Sequence, residues 1–120
     1  MKKLMVVLFV LGISLQSFAG VKEKDVIGSW KYKVESDQGD LTGLIKIEKK
    51  DGKLAAVVET DDGEYLDFSK VELRDNDILY MEIDTGSELL ELTLTVKGKV
   101  LDGELGTSMG SFPMTAEKVE

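Results

Sequence analysis

The sequence predicts an all-β domain: an eight-stranded antiparallel up-and-down meander closed into a barrel. From Ser29 onward, short runs alternate apolar and polar residues, which is the period of a strand with one buried face. Turn signals rich in glycine or asparagine separate these runs at intervals of roughly ten residues. Each gap is too short for a crossover helix, so consecutive strands pair antiparallel. An open sheet of this size would expose two long edges, whereas eight strands are enough to close.

The first residues, MKKLMVVLFVLGISLQSFAG, predict a secretory signal peptide over residues 1–19. Two lysines precede an uncharged apolar run from Leu4 to Leu15, and small residues follow in Ser17-Phe18-Ala19. The run is short for a membrane span, although a retained anchor is the alternative. No cysteine follows the run, so a lipid-modified cysteine is impossible. We therefore expect a periplasmic or secreted protein with no membrane anchor after cleavage behind Ala19.

The mature chain has about 100 residues, which suits one domain that folds without disulfides. We divide it into a lead-in at 20–27 and a barrel domain at 28–120. Without the two signal-peptide lysines it carries 13 basic and 23 acidic side chains, a net charge of −10. Nucleic acid is excluded as a partner by that charge. Acidic residues dispersed along the chain are typical of a solvated surface that keeps a protein soluble and monomeric.

Taken in order, the strands are predicted near residues 29–36, 41–49, 53–60, 64–73, 77–84, 88–97, 99–106 and 111–119. In the fourth, Leu66 and Phe68 keep one phase of the alternation, while Val71 and Leu73 keep the other. All four side chains can point inward if the strand gains one residue, so we expect a bulge or bend at Ser69-Lys70.

The first strand begins with Gly28-Ser29-Trp30, which contains the only tryptophan. Gly-x-Trp at the start of a secreted eight-strand meander resembles the signature of the lipocalins and the wider calycin superfamily. The chain is shorter than an ordinary lipocalin and is most similar to small lipocalin-like domains secreted by bacteria. The resemblance implies that Trp30 closes one end of the barrel under a basic side chain from the last strand. Lys118 has the matching parity, in place of the family's usual arginine.

The residue types present disfavour catalysis. The chain has no histidine and no cysteine, which removes the commonest general base, zinc ligands and the thiolate nucleophile. Carboxylates are abundant, but none falls on an inner face where burial would raise its pKa. The acid-rich turns are read as turn formers rather than calcium ligands. We therefore expect no enzymatic activity, no metal and no cofactor.

The segment Gly106 to Ser111, GTSMGS, has two interpretations: an anion-binding loop or a flexible hairpin loop. Anion-binding glycine loops lead into a helix, whereas this one precedes a strand, so the hairpin interpretation is favoured.

The barrel interior is the remaining candidate site. Small or polar positions on or near the inner face mark tentative ligand-binding residues, which are Tyr32, Gly43, Ala56, Thr60, Phe68 and Gly103. A hollow interior would bind a small hydrophobic or amphipathic molecule, as the lipocalin resemblance implies. A barrel of eight strands can instead fill itself with side chains. In that case the alternative is an envelope protein that binds or inhibits another protein through its loops.

Overall fold

A computed structural model describes residues 21–119, so the predicted signal peptide lies outside the described residues. Within that range the chain forms a short helix and nine strands. Their bounds are α1 (Glu23–Val26), β1 (Gly28–Ser36), β2 (Gly39–Lys50), β3 (Lys53–Thr60), β4 (Tyr65–Asp67), β5 (Lys70–Arg74), β6 (Ile78–Asp84), β7 (Leu89–Lys97), β8 (Val100–Thr107) and β9 (Gly110–Lys118). A 3₁₀ turn at Asp75–Asp77 precedes β6. No helix in residues 21–119 is long and apolar enough to cross a membrane.

The strands form one curled antiparallel sheet in the order β4-β3-β2-β1-β9-β8-β7-β6-β5. The prediction of an all-β antiparallel meander is therefore confirmed. The first and last strands pair, with Trp30 opposite Lys118 and Tyr32 opposite Ala116. Alternate inner residues bury one face of the sheet, while their neighbours in sequence face solvent.

The prediction of eight strands was wrong, because the fourth predicted strand is divided into β4 and β5. β4 pairs with β3, whereas β5 pairs with β6. At the crossing, the Phe68 N–H donates to the Ala56 carbonyl on β3 at 3.0 Å, and the Ser69 N–H donates to the Glu82 carbonyl on β6 at 2.8 Å. No backbone ladder joins β4 to β5 within the sheet. The wall thus has a gap between the start of β3 and β5, which we call the seam.

A β-bulge explains the division. The β5–β6 register pairs Lys70 with Glu82, and the Ser69 N–H also bonds to the carbonyl of Glu82, so two residues stand opposite one. Phe68 before the bulge and Val71 after it both pack against the core. The extra residue therefore lets the side chains of both β4 and β5 pack inward, while the two strands pair with different neighbouring strands.

The core is densest at the end of the sheet that α1 covers. Its fully buried side chains come from α1 and from five different strands, and they are Val26, Trp30, Ile45, Leu79, Met81, Leu94 and Leu101. Among the described residues, every buried side chain is apolar or aromatic. The core therefore holds itself together by apolar packing, without buried ion pairs.

Candidate functional site: an apolar cavity at the mouth

Antiparallel connectivity gives the curled sheet two unlike ends. The β1–β2, β3–β4, β6–β7 and β8–β9 turns lie at one end, which we call the mouth. The remaining hairpin turns and α1 lie at the other, which we call the closed end. Alternate turns of a meander meet at the same end because every strand reverses the chain direction.

Trp30 seals the closed end. Its side chain has no exposed surface, and its indole N–H donates to the Val26 carbonyl of α1 at 2.9 Å. The Lys118 ammonium lies 5.5 Å from the Trp30 ring centroid and donates to the Asp25 carbonyl at 3.1 Å. Gly28 has φ of +140°, a conformation that residues with a side chain rarely adopt. This conformation lets the chain turn so that α1 lies beneath the sheet. The structure thus brings Gly28, Trp30 and Lys118 together at one end.

A cavity of about 170 Å³ opens at the mouth. Every strand except β5 contributes to its lining, which is aliphatic apart from the aromatic Tyr32 and Phe68 and the polar Thr60. An enclosed apolar cavity of ~150 Å³ holds benzene, whereas drug-sized ligands need about 300–1,000 Å³. The site therefore fits one ring or a short alkyl chain.

The Tyr32 hydroxyl is the unusual polar group of this cavity. Tyr32 is only 8% exposed, yet its hydroxyl has no hydrogen-bond partner among residues 21–119. Burial raises the pKa of the phenol, and the negative charge of Asp61 raises it further. The hydroxyl is therefore neutral at neutral pH, and it can donate or accept a hydrogen bond. A buried hydroxyl without a partner carries a desolvation cost that a bound ligand can relieve.

Three of the six predicted ligand-binding residues, Tyr32, Thr60 and Phe68, line this cavity. Ala56 lies outside it, in the core two residues from Val58. Its position towards the closed end explains the difference, because β3 runs from the closed end to the mouth.

The two predicted glycines do not leave space for a ligand. A Cβ on Gly43 would collide with the backbone carbonyl of Glu59 on β3, and it would also lie 2.8 Å from the Tyr32 ring and hydroxyl, which pack across the glycine. A Cβ on Gly103 would collide with the backbone carbonyl of Thr93 on β7. Neighbouring groups already occupy both positions, so the expectation that these glycines open the interior was wrong.

The rim of the cavity is strongly acidic. Segments 35–42, 60–67, 84–90 and 106–111, which form the mouth, contain no lysine or arginine. They contain nine acidic residues, which are Glu35, Asp37, Asp40, Asp61, Asp62, Glu64, Asp67, Asp84 and Glu88. Sequence reasoning read these acids as dispersed, but grouping the turns alternately would have shown that they share one end.

The glycine-rich loop of residues 106–111 is a hairpin turn whose amides are occupied. The Ser108 N–H donates to the Glu88 carboxylate at 2.9 Å, and the Met109 N–H donates to the Thr107 hydroxyl at 3.0 Å. The bond from Ser108 holds the pKa of Glu88 below its usual value. An acidic side chain thus takes the place that an anionic ligand would need.

A larger groove of about 600 Å³ follows the seam, but it is open to solvent. Charged side chains of both signs line it, including Lys53, Lys70, Glu72 and Arg74. Its mixed, charged lining lacks the apolar surface of the mouth cavity, so it is a weaker candidate for a small ligand.

Sequence reasoning missed a polar cluster on the outer face around Tyr80. The Tyr80 hydroxyl lies 2.6 Å from Glu82 Oε2 and 3.1 Å from Glu91 Oε2. Hydrogen bonding to Glu82, followed by burial and by the bond to Glu91, raises the pKa of Tyr80. The Arg74 guanidinium stacks 3.8 Å from the ring centroid and covers it. The cluster ties β5, β6 and β7 together on the outside.

Within the described range, no group of three or more acidic side chains is arranged to hold a metal ion. No protein-family model matches the chain, and no curated protein sequence matches it.

The structure is similar to small designed β-barrels. A redesigned β-barrel superposes with a TM-score of 0.61 at 19% identity, covering 81% of this chain and 94% of the other. A de novo designed fluorescence-activating β-barrel gives 0.56 at 16% identity, covering 79% and 94%. A redesigned β-barrel bound to the compound DFHBI gives 0.55 at 18% identity, covering 77% and 97%. At these identities the likeness shows the fold, which is that of a small β-barrel.

Proposed function

We propose that this protein is an exported, monomeric, non-enzymatic binding protein that holds a small apolar or amphipathic molecule in the mouth cavity. The barrel is of the lipocalin-like, calycin type, with a seam between β3 and β5 that no backbone ladder within residues 21–119 closes. The observation that carries the proposal is the apolar cavity of about 170 Å³, which is lined by the buried Tyr32, whose hydroxyl has no hydrogen-bond partner within residues 21–119.

The cavity sets the size and the affinity of the ligand. Burying about 150 Å² of apolar ligand surface at ~25 cal/mol per Å² contributes roughly 4 kcal/mol, which corresponds to a Kd near 1 mM. One hydrogen bond from the Tyr32 hydroxyl adds about 0.5–1.5 kcal/mol, which strengthens binding by up to roughly tenfold. Two of the similar designed barrels, one fluorescence-activating and one bound to DFHBI, support the proposal by analogy.

Fluorobenzene followed by ¹⁹F NMR tests the site directly. The wild-type protein should bind this probe with a Kd of about 0.1–1 mM. Val58 lines the cavity on β3, so Val58→Phe should fill it and abolish binding. Val57, the next residue, points to the outer face, and Val57→Phe is the matched control that should retain binding. Equal binding by the two variants would place the probe elsewhere and refute the proposed site.

The alternative function, binding of another protein through the loops, has one observation in its favour. Several exposed large apolar side chains of the described chain lie at or beside the mouth, and these are Leu41, Tyr65, Leu66, Leu89 and Met109. A protein partner would bury them together. If this alternative holds, an envelope protein captured by the wild type is also captured by Val58→Phe and is lost on Met109→Glu.

A further inference from the structure

We infer that the ligand of the mouth cavity is a small organic cation, with a ring-sized apolar body inside and an ammonium group at the acidic rim. This inference rests on the proposed function and specifies its ligand class.

Charge separation between the two ends is the first observation. The mouth segments contain nine acidic and no basic residues. The segments of the closed end, residues 21–27, 48–54, 73–78, 96–101 and 117–119, contain nine basic and seven acidic residues. A uniformly acidic surface is sufficient for solubility, but it would not remove every cation from one end. The field at the mouth therefore attracts cations and repels anions.

The rim carboxylates are available to a ligand. Within residues 21–119, Glu35 pairs with Lys33 at 3.9 Å, and the other eight rim acids form no salt bridge. Glu88 is held by the amide of Ser108. Asp61 and Asp84 accept hydrogen bonds from the Thr42 hydroxyl and the Gly86 amide, but neither donor carries a positive charge. An incoming ammonium group therefore meets little competition from cationic side chains.

The second observation is a polar side of the cavity wall, next to the rim residue Asp61. Tyr32 is buried and its hydroxyl has no hydrogen-bond partner within the described residues; it lies opposite Gly43, which lies opposite Thr60 on β3. Thr42 donates a hydrogen bond to Asp61 and thereby fixes that carboxylate at the β2 side of the mouth. Thr60, which lines the cavity, precedes Asp61 directly. These groups give the cavity one polar side, so a bound molecule would be oriented with its polar group towards the rim.

Desolvation favours the same arrangement. A cation buried in the aliphatic interior would lose its hydration without a compensating partner. At the rim the ammonium remains hydrated while its apolar body enters the cavity. The ligand that fits both the apolar cavity and the acidic rim is therefore an arylalkylamine or a short alkylamine. A carboxylate of the same shape is repelled by the rim.

Three probes with the same phenyl group separate this inference from the proposed function: 2-phenylethylamine, 2-phenylethanol and 3-phenylpropionate. Titration calorimetry at low salt should show the amine binding about three- to tenfold more tightly than the alcohol, with the carboxylate weakest. Raising the salt to about 0.5 M should bring the amine close to the alcohol, because exposed charges are then screened.

Paired variants locate the effect. Asp61→Asn should reduce the affinity for the amine by about two- to fivefold and leave the affinity for the alcohol unchanged. Asp51→Asn, which removes the same charge from a turn at the closed end, should leave both affinities unchanged. If the alcohol binds as tightly as the amine, the inference is overturned while the proposed function stands. If neither these probes nor fluorobenzene bind, both are overturned.

Discussion

Replacement of Trp30 by alanine tests whether the closed end is a structural seal. The side chain is completely buried, so solvent cannot compensate for its removal. Roughly 140 Å³ of lost side chain at about 24 cal/mol per Å³ gives ~3.4 kcal/mol. Loss of the hydrogen bond to the Val26 carbonyl adds about 1 kcal/mol. We therefore expect a loss of ~4–5 kcal/mol from a total stability of ~5–15 kcal/mol.

Urea denaturation followed by far-UV circular dichroism measures this loss without using tryptophan fluorescence. Trp30→Phe, which retains a ring but not the indole N–H, should cost only about 1–2 kcal/mol and provides a folded variant if the alanine variant does not fold. Met109→Ala, at a side chain that is 86% exposed, is the control and should change stability by less than ~0.5 kcal/mol. A loss below ~1 kcal/mol for Trp30→Ala would refute the seal.

The remaining predictions concern other parts of the chain. Gly43→Ala should destabilise the fold by about 1–3 kcal/mol because the new methyl group meets the Glu59 carbonyl and the Tyr32 ring, whereas Gly106→Ala, where the methyl group makes ordinary contacts, should cost less. The folded pKa of Glu88 lies below its ordinary value of 4.5 because its carboxylate accepts the hydrogen bond from Ser108. This bond therefore stabilises the fold above pH 4.5, and the stabilisation is lost as the pH falls through the folded pKa. The NMR shift of the Ser108 amide should titrate at that folded pKa. Mass spectrometry of the protein purified from envelope extract should give Gly20 as its first residue.

Each of these has an outcome that would contradict it. Equal stabilities for the two glycine variants would show that the β3 backbone and the tyrosine ring make room for the methyl group without cost. A Glu88→Gln protein whose Ser108 amide still titrates in the same window would assign the transition to another carboxylate. Recovery of the chain with Met1 from a membrane pellet would exclude cleavage.

The strand boundaries could be predicted because two independent local signals agree along most of the chain. Period-two alternation gives each strand its inner face, and the glycine turns end it, so β3 was predicted with the bounds that it has. The pairing of Trp30 with Lys118 followed from parity once the first and last strands were assumed to meet. These inferences depend only on residues that are neighbours in sequence, or on the one assumption that the first strand pairs with the last.

The missed features depend on neighbours in space. The phase slip at Ser69 was visible, but which strand each half would pair with depends on the curl of the whole sheet. Small residues such as Gly43 and Gly103 look alike in sequence whether a cavity or a neighbouring group lies beside them. The cavity itself results from side chains on eight strands and has no local signature.

At the seam, the wall of the barrel formed by residues 21–119 has no backbone hydrogen-bond ladder. In a barrel whose neighbouring strands are all joined by backbone hydrogen bonds, the strand number and the shear fix the circumference. Widening such a barrel would break backbone hydrogen bonds. The backbone N–H and C=O groups of Leu54 point to the same side of β3 as those of Ala56, towards the seam. Within the described residues, no strand pairs with Leu54 on that side. Only side-chain packing holds β3 and β5 together along this line. Backbone hydrogen bonds therefore do not fix the girth of the interior along the seam, and we expect that a guest larger than the resting cavity would spread the seam while the paired strands keep their register.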